Sequence, residues 1–138
     1  MLKVAFASDD RVMVNQHFGA AEGFAIYALD GERAQLVELA EFPPESMDGN
    51  ETKLPAKIAA LAGCSAVYCL AAGASAVKQL LAAGIQPLRL DAEAAIEPLL
   101  KQISVAIKAG GIAWVDKALR KEGDAARFER MAAEGWEE

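Results

Sequence analysis

The hydrophobic pattern of this chain changes character once, at Pro43-Pro44. Before that point it reads as strands. Leu2 to Ala7 is a buried strand with Val4 and Phe6 on one face, ended by Ser8-Asp9-Asp10. A loop runs through Gly19, with a short turn to Gly23. Phe24 to Leu29 is a second strand, and Asp30-Gly31 is a hairpin signal. Ala34 to Phe42 is a third strand, with Leu36 and Val37 near its centre. These three strands predict an antiparallel meander.

Pro43 to Thr52 is polar and rich in turn formers, and reads as a loop. Beyond it the period becomes helical. Leu54, Ile58 and Leu61 share a face, Pro55 fits a first helical turn, and Gly63 ends the helix. Ala66 to Ala71 is a short apolar run suited to a buried parallel strand. Ala74 to Ala83 is helical, with Val77, Leu80 and Leu81 expected inward and Gly84 as the stop. Ile85 to Leu90 is a further strand, which Pro87 assigns to an edge.

Asp91 is the expected cap of the next helix, whose stripe is Ile96, Leu99, Leu100, Ile103 and Ile107. Pro98 marks a kink or a later start, and Gly110-Gly111 a break. A last helical section spans about 113 to 131, interrupted near Gly123-Asp124, with Trp114, Leu119, Phe128 and Trp136 as anchors.

The order βββ, then αβαβα, then a helical tail predicts a single α/β domain over 1–138, with a core to about 110 and a tail from about 111. An RNase H-like mixed five-stranded sheet with helices on its faces satisfies that order. A flavodoxin-like sheet is the runner-up, against which the early hairpin argues.

Composition narrows the chemistry. No stretch approaches the ~20 apolar residues of a membrane span, and the start lacks a signal-peptide pattern. A cytoplasmic protein is expected. Net charge is −6, against general nucleic-acid binding. No Asp or Glu occurs from Thr52 to Leu90, where Lys53, Lys57, Lys78 and Arg89 are present. The plainer reading is that this stretch is core; the other is that it favours an anionic ligand. Cys64 and Cys69 form neither a disulfide framework nor a CxxC pair. By strand alternation Cys69 points with Val67 and Ala71, and Cys64 with Tyr68, so the two thiols are not expected to serve one site.

Ligands of such sheets collect at the carboxyl ends of the parallel strands. That edge gathers the loop after Ala7, the loop after Leu70 and the turn at Leu90-Asp91. It brings together the chain's single histidine, His17, the thiol of Cys69, and the Ala71-Ala72-Gly73-Ala74-Ser75 entry to a helix N-terminus, which favours an anion. Each residue also has a plainer reading. His17 can be a hydrogen-bonding loop residue, Cys69 a small core hydrophobe, Ser75 a helix cap, Asp9 and Asp10 solvated acids, and Met13 a packing residue. Enzyme readings are weak. A two-metal nuclease needs carboxylates from several strands, and the central strand has none. A Cys-His hydrolase lacks a recognisable third group.

Several segments resemble the NifX/NafY family of nitrogenase iron-molybdenum cofactor carrier proteins. They are Leu2-Lys3-Val4-Ala5-Phe6-Ala7-Ser8, Gln16-His17-Phe18-Gly19, Phe24-Ala25-Ile26-Tyr27, the stretch from Gly63 to Cys69, Gly73-Ala74-Ser75-Ala76-Val77 with Gln79-Leu80-Leu81, and the ending from Arg127 to Trp136. The resemblance covers nearly the whole chain. It implies an RNase H-like fold without nuclease acids, and a non-enzymatic accessory of nitrogen fixation. The implied cargo is an iron-sulfur precursor of the iron-molybdenum cofactor, of the NifB-co type, or the finished cofactor, held transiently. The implied partners are the NifB synthase and the NifEN scaffold, and also apo-nitrogenase.

The family's His-Phe-Gly histidine carries over onto His17, as a ligand to iron of the cluster. Some relatives carry a thiol where this chain has Ala72, so a multi-thiolate site is not expected. The expected site comprises His17, its loop neighbours Asn15, Phe18 and Gly19, then Arg11, the Gly73 to Ser75 turn and Cys69, with Cys69 as second metal ligand. A resident cluster usually has four cysteines; a carrier that must release its cargo needs fewer. The rival reading is a cluster-independent chaperone of the scaffold or apo-nitrogenase, motivated by the acidic tail with Phe128 and Trp136. A residual RNase H-like hydrolase is the remote alternative.

Overall fold

The computed structural model describes residues 1–42 and 54–123. The loop expected at Pro43 to Thr52, Lys53, and the tail anchors Phe128 and Trp136 with the motif from Arg127 lie outside the described residues, as does the far end of the last helix.

Three strands lie where period-two apolar spacing puts them: β1 (Leu2–Ala7), β3 (Gly23–Leu29) and β4 (Ala34–Glu41). A two-residue strand, β2 (Met13–Val14), lies inside the β1–β3 connection. Then follow α1 (Leu54–Ala60), β5 (Ala66–Cys69), α2 (Ala74–Ala82), β6 (Gln86–Arg89), β7 (Ala94–Ala95) and α3 (Ile96–Ala109). A fourth helix, α4, covers 113–123 of the described chain. The main sheet has the order β4-β3-β1-β5-β6; β2 and β7 form a separate two-stranded sheet. β1 pairs antiparallel with β3 and parallel with β5, which pairs parallel with β6. The expected meander and the mixed five-stranded sheet are both present. Pro87 lies on the β6 edge, where no ladder hydrogen bond is lost.

Alternation along the strands divides the core in two. One face carries Ala5, Ala7, Phe24, Ile26, Val67 and Cys69 against Leu54 and Leu61 of the α1 region and Ala76 and Leu80 of α2. The other carries Leu2, Val4, Phe6, Ala25, Ala66 and Tyr68 against Ile96, Leu99, Leu100, Ile103 and Ala106 of α3, and Val115 of α4. Phe6 stacks on Tyr68, with ring centroids 5.3 Å apart. The result is a helix–sheet–helix sandwich. No helix among the described residues is long and apolar enough to cross a membrane.

At the hairpin, the Asp30 carboxylate accepts from the amides of Glu32 and Arg33, both at 2.8 Å, while Gly31 takes φ +95°.

Three local expectations are corrected. Asp91 does not cap α3: the N-cap is Ala95, and the Ile96 amide donates to the Val12 carbonyl at 2.8 Å, because the β2–β7 ladder intervenes and supplies a backbone acceptor. Leu81 is 53% exposed, since α2 buries the Ala76–Leu80 stripe and only part of Val77 beside it. Cys64 packs in the cluster of Val67 and Cys69, not with Tyr68; its amide closes the turn after α1 on Leu61, so strand alternation does not govern it.

Ile103 is fully buried at the centre of the α3 contact. Ile103→Ala is expected to lower unfolding stability by about 2–5 kcal/mol, measured as a shifted urea midpoint with unchanged m-value.

Candidate functional site

The carboxyl ends of β1, β5 and β6 form one edge, and the β1–β3 connection runs across it. Side chains organise the first part of that connection. Buried Ser8 accepts from the amides of Asp10 and Arg11, and donates to the Asp10 carboxylate. The same carboxylate oxygen of Asp10 accepts from Val12 and Met13 amides at 2.8 and 2.9 Å. Those amides, Met13 first, hold the Asp10 carboxyl below the usual carboxylate range. Between them Arg11 adopts the left-handed conformation, φ +67°. Asn15 closes the turn by bonding the Asp9 amide and carboxylate.

Backbone bonds fix the second part. The Asn15 amide donates to the Ala7 carbonyl at 3.1 Å. The Leu70 amide donates to the Gln16 carbonyl at 3.0 Å, and the Phe18 amide to the Ala71 carbonyl at 2.7 Å. Those last two bonds flank His17. Its neighbour Phe18 is fully buried, 5.4 Å from the Phe24 ring. The Gln16 side chain accepts from the Glu22 amide. His17 itself is exposed. The loop is thus tied on both sides of its histidine while the imidazole faces solvent.

The bonded partners Leu70 and Ala71 lead directly into α2. Gly73 is its N-cap, in extended conformation, with no side-chain cap bond. Ser75 is therefore not the cap: it lies inside the first turn, where its hydroxyl accepts from Gln79 at 3.1 Å. Open amides at this terminus favour an anion. Gly73 and Ser75 are exposed, and a Cβ at Gly73 would meet nothing within 4 Å.

The expected residues therefore divide. His17 and the Gly73 to Ser75 turn come together through the 16–18 to 70–71 contacts. Phe18 belongs to the core and Asn15 to the Asp9 turn. Gly19 is half-buried, and its carbonyl faces the protein. Arg11 pairs with Glu41 at 3.4 Å, at the end of β4. Its guanidinium is thus engaged at the β4 end of the edge, while its amide stays with Ser8 just beyond β1. Cys69 lies at the same edge but is fully buried, and burial pushes its thiol up to about 11. Burial pushes Cys64 up to about 11 as well. Both thiols are buried and do not reach the surface of the edge. Among the described residues, no group of three or more His, Cys, Asp or Glu is placed to hold a metal ion.

Sequence reasoning missed the structural role of Lys57. It is fully buried and donates to the Gly19 carbonyl at 2.5 Å, with its ammonium 5.9 Å from the Phe42 ring centroid. A signal existed: Lys57 stands between Leu54 and Leu61 at helical spacing, inside the apolar stripe.

A model of the dinitrogenase iron-molybdenum cofactor family matches residues 1–105, which spans both halves of this edge. The chain belongs to that family. It is 50% identical over 140 residues to Protein NifX of Azotobacter vinelandii, covering 100% of this chain and 89% of that protein. Over 90 residues, 64% of this chain, it is 37% identical to a part amounting to 21% of the FeMo cofactor biosynthesis protein NifB of Chlorobaculum tepidum. Its fold is shared with the NMR structure of a putative NifB protein from Thermotoga: TM-score 0.56, 23% identity, 78% of this chain and 90% of that one covered. These matches place the dinitrogenase cofactor family, and this chain with it, among proteins of nitrogenase iron-molybdenum cofactor biosynthesis. The resemblance read from the His17 loop and the Gly-Ala-Ser helix entry agrees with that membership.

The buried thiols give a pH test. Their folded values stand above the ordinary value of 9.0, so the unfolded chain loses its thiol protons first. Stability is then constant in this respect below pH 9 and falls between about pH 9 and about pH 11. Urea unfolding across that range is expected to show the fall, and Cys64→Ala, Cys69→Ala protein a shallower one.

Proposed function

We propose that this protein binds and carries an iron-sulfur precursor of the nitrogenase iron-molybdenum cofactor, or the cofactor itself, with His17 as its ligand to iron. The observation that supports this reading best is the solvent-facing His17, held by two flanking backbone bonds beside the uncapped N-terminus of α2. An exposed imidazole offers a nitrogen to an iron atom without rearranging the fold. The α2 amides face the anionic, sulfide-rich remainder of such a cluster. Exposed Arg89, at the end of β6, adds positive charge to the same edge.

A single protein ligand sets the character of the interaction. The thiols are buried and offer no second anchor at the surface. The hold is then reversible, as delivery requires. In this reading the NifB synthase supplies the cargo, and the NifEN scaffold or apo-nitrogenase receives it. The site acts in the cytoplasm as a carrier and not as an enzyme. The strand order of the mixed sheet is compatible with an RNase H-like reading, but β1 and β5 carry no Asp or Glu for a two-metal centre. Cys69 is not a first ligand in this account, and the Arg11 guanidinium is engaged by Glu41.

Anaerobic titration with isolated precursor, followed by absorbance and by iron retained after gel filtration, tests the assignment. His17→Ala is expected to bind ten- to a hundredfold more weakly and to keep the parent's thermal midpoint. Equal affinity in the variant would remove His17 from the site. Binding to the scaffold that persists undiminished without any cluster would favour the cluster-independent chaperone.

A further inference from the structure

The one buried cation among the described residues bonds the loop that carries the proposed site. Lys57 has no exposed surface, yet it sits in α1, among the residues that pack on the sheet. Burying an ammonium is costly unless its protons are taken up by acceptors. An apolar side chain of similar length would fill the same space without that cost, so packing does not account for a lysine. Its bond to the Gly19 carbonyl connects α1 to the loop that carries His17, across 38 positions of sequence.

The other bonds of this loop run to a different element. Gln16 and Phe18 are tied to Leu70 and Ala71, on the way from β5 into α2. The loop that carries His17 is therefore tied to the β5–α2 connection at Gln16 and Phe18 and to α1 at Gly19. Gly19 is the residue at which α1 reaches the loop. A charged donor on a neutral carbonyl makes a stronger bond than a neutral pair.

We infer that Lys57 is a positioning residue for ligand capture: its ammonium latches the Gly19 carbonyl and fixes the His17 loop against the N-terminus of α2. The ligand in this inference rests on the cluster-carrier reading; the latch itself does not. Lys57 touches no cargo. It acts by holding the backbone that presents the imidazole, so that binding does not have to order the loop first.

The test uses the full chain and Lys57→Met, which keeps length and removes the donor, with Lys57→Gln as a shorter variant that retains one. In Lys57→Met, hydrogen exchange at the Phe18 and Leu70 amides is expected to speed up at least tenfold relative to the Phe6 amide in β1. Equal acceleration at all three amides would mean general destabilisation, and no acceleration would mean no latch; either overturns the inference. On the unmodified chain, the Lys57 ammonium is expected to give a slowly exchanging NMR signal coupled to the Gly19 carbonyl carbon. A solvent-averaged signal overturns the latch even if both variants fail to fold.

Anaerobic titration with isolated precursor supplies the functional arm. Lys57→Met is expected to bind about tenfold more weakly, while adding it to His17→Ala changes nothing further. A further loss in the double variant would show that Lys57 acts other than through His17. If His17→Ala binds as tightly as the parent, the carrier reading fails, and the exchange data still decide the latch.

Discussion

The backbone of residues 15–19 cannot lie across the sheet edge with its polar groups unpaired, and this requirement organises the site. An unpaired amide or carbonyl buried there would cost on the order of 1–3 kcal/mol. The pairs are made with Ala7 at the end of β1 and with Leu70 and Ala71 beyond β5. Phe18 adds an apolar anchor in the core. Once these contacts form, His17 has one place to go: outward, between two bonded neighbours. The parallel pairing of β1 with β5 is what brings those partners within reach.

The same edge shows a separation of tasks. Side chains of Ser8, Asp10 and Asn15 spend their hydrogen bonds on the loop's own backbone. The thiols are withdrawn into the core and kept protonated. Among the groups left exposed there are an imidazole and an uncapped helix terminus. Those two groups complement an anionic cluster with one open iron position, and they grip it lightly. A resident cluster would call for several thiolates; the described chain presents none at its surface.

Much of this was legible in the sequence, for physical reasons. β1, β3 and β4 are strongly patterned strands, and the glycines at 31, 63, 84 and 110 occupy positive-φ positions at the turns and helix ends where they were read. The edge that collects His17 and the Gly73 turn followed from topology. The two-residue strands β2 and β7 were not legible, because so short a pairing leaves no period. Missing them led to Asp91 as a helix cap, a task the Val12 carbonyl performs. Arg11 sits close to His17 in sequence but is turned toward Glu41 by its left-handed backbone, and linear distance could not reveal that. Lys57 was passed over as one of several lysines, although its place in the apolar stripe marked it.

Because His17 is the only histidine, isotope labelling addresses it alone. The most direct test of the account is pulsed electron paramagnetic resonance of the protein grown with nitrogen-15 histidine and loaded anaerobically with paramagnetic iron-molybdenum cofactor. The account predicts a nitrogen-15 hyperfine coupling of the size of a directly bound imidazole, lost in the unlabelled control. A stoichiometrically bound cluster with no such coupling would contradict it.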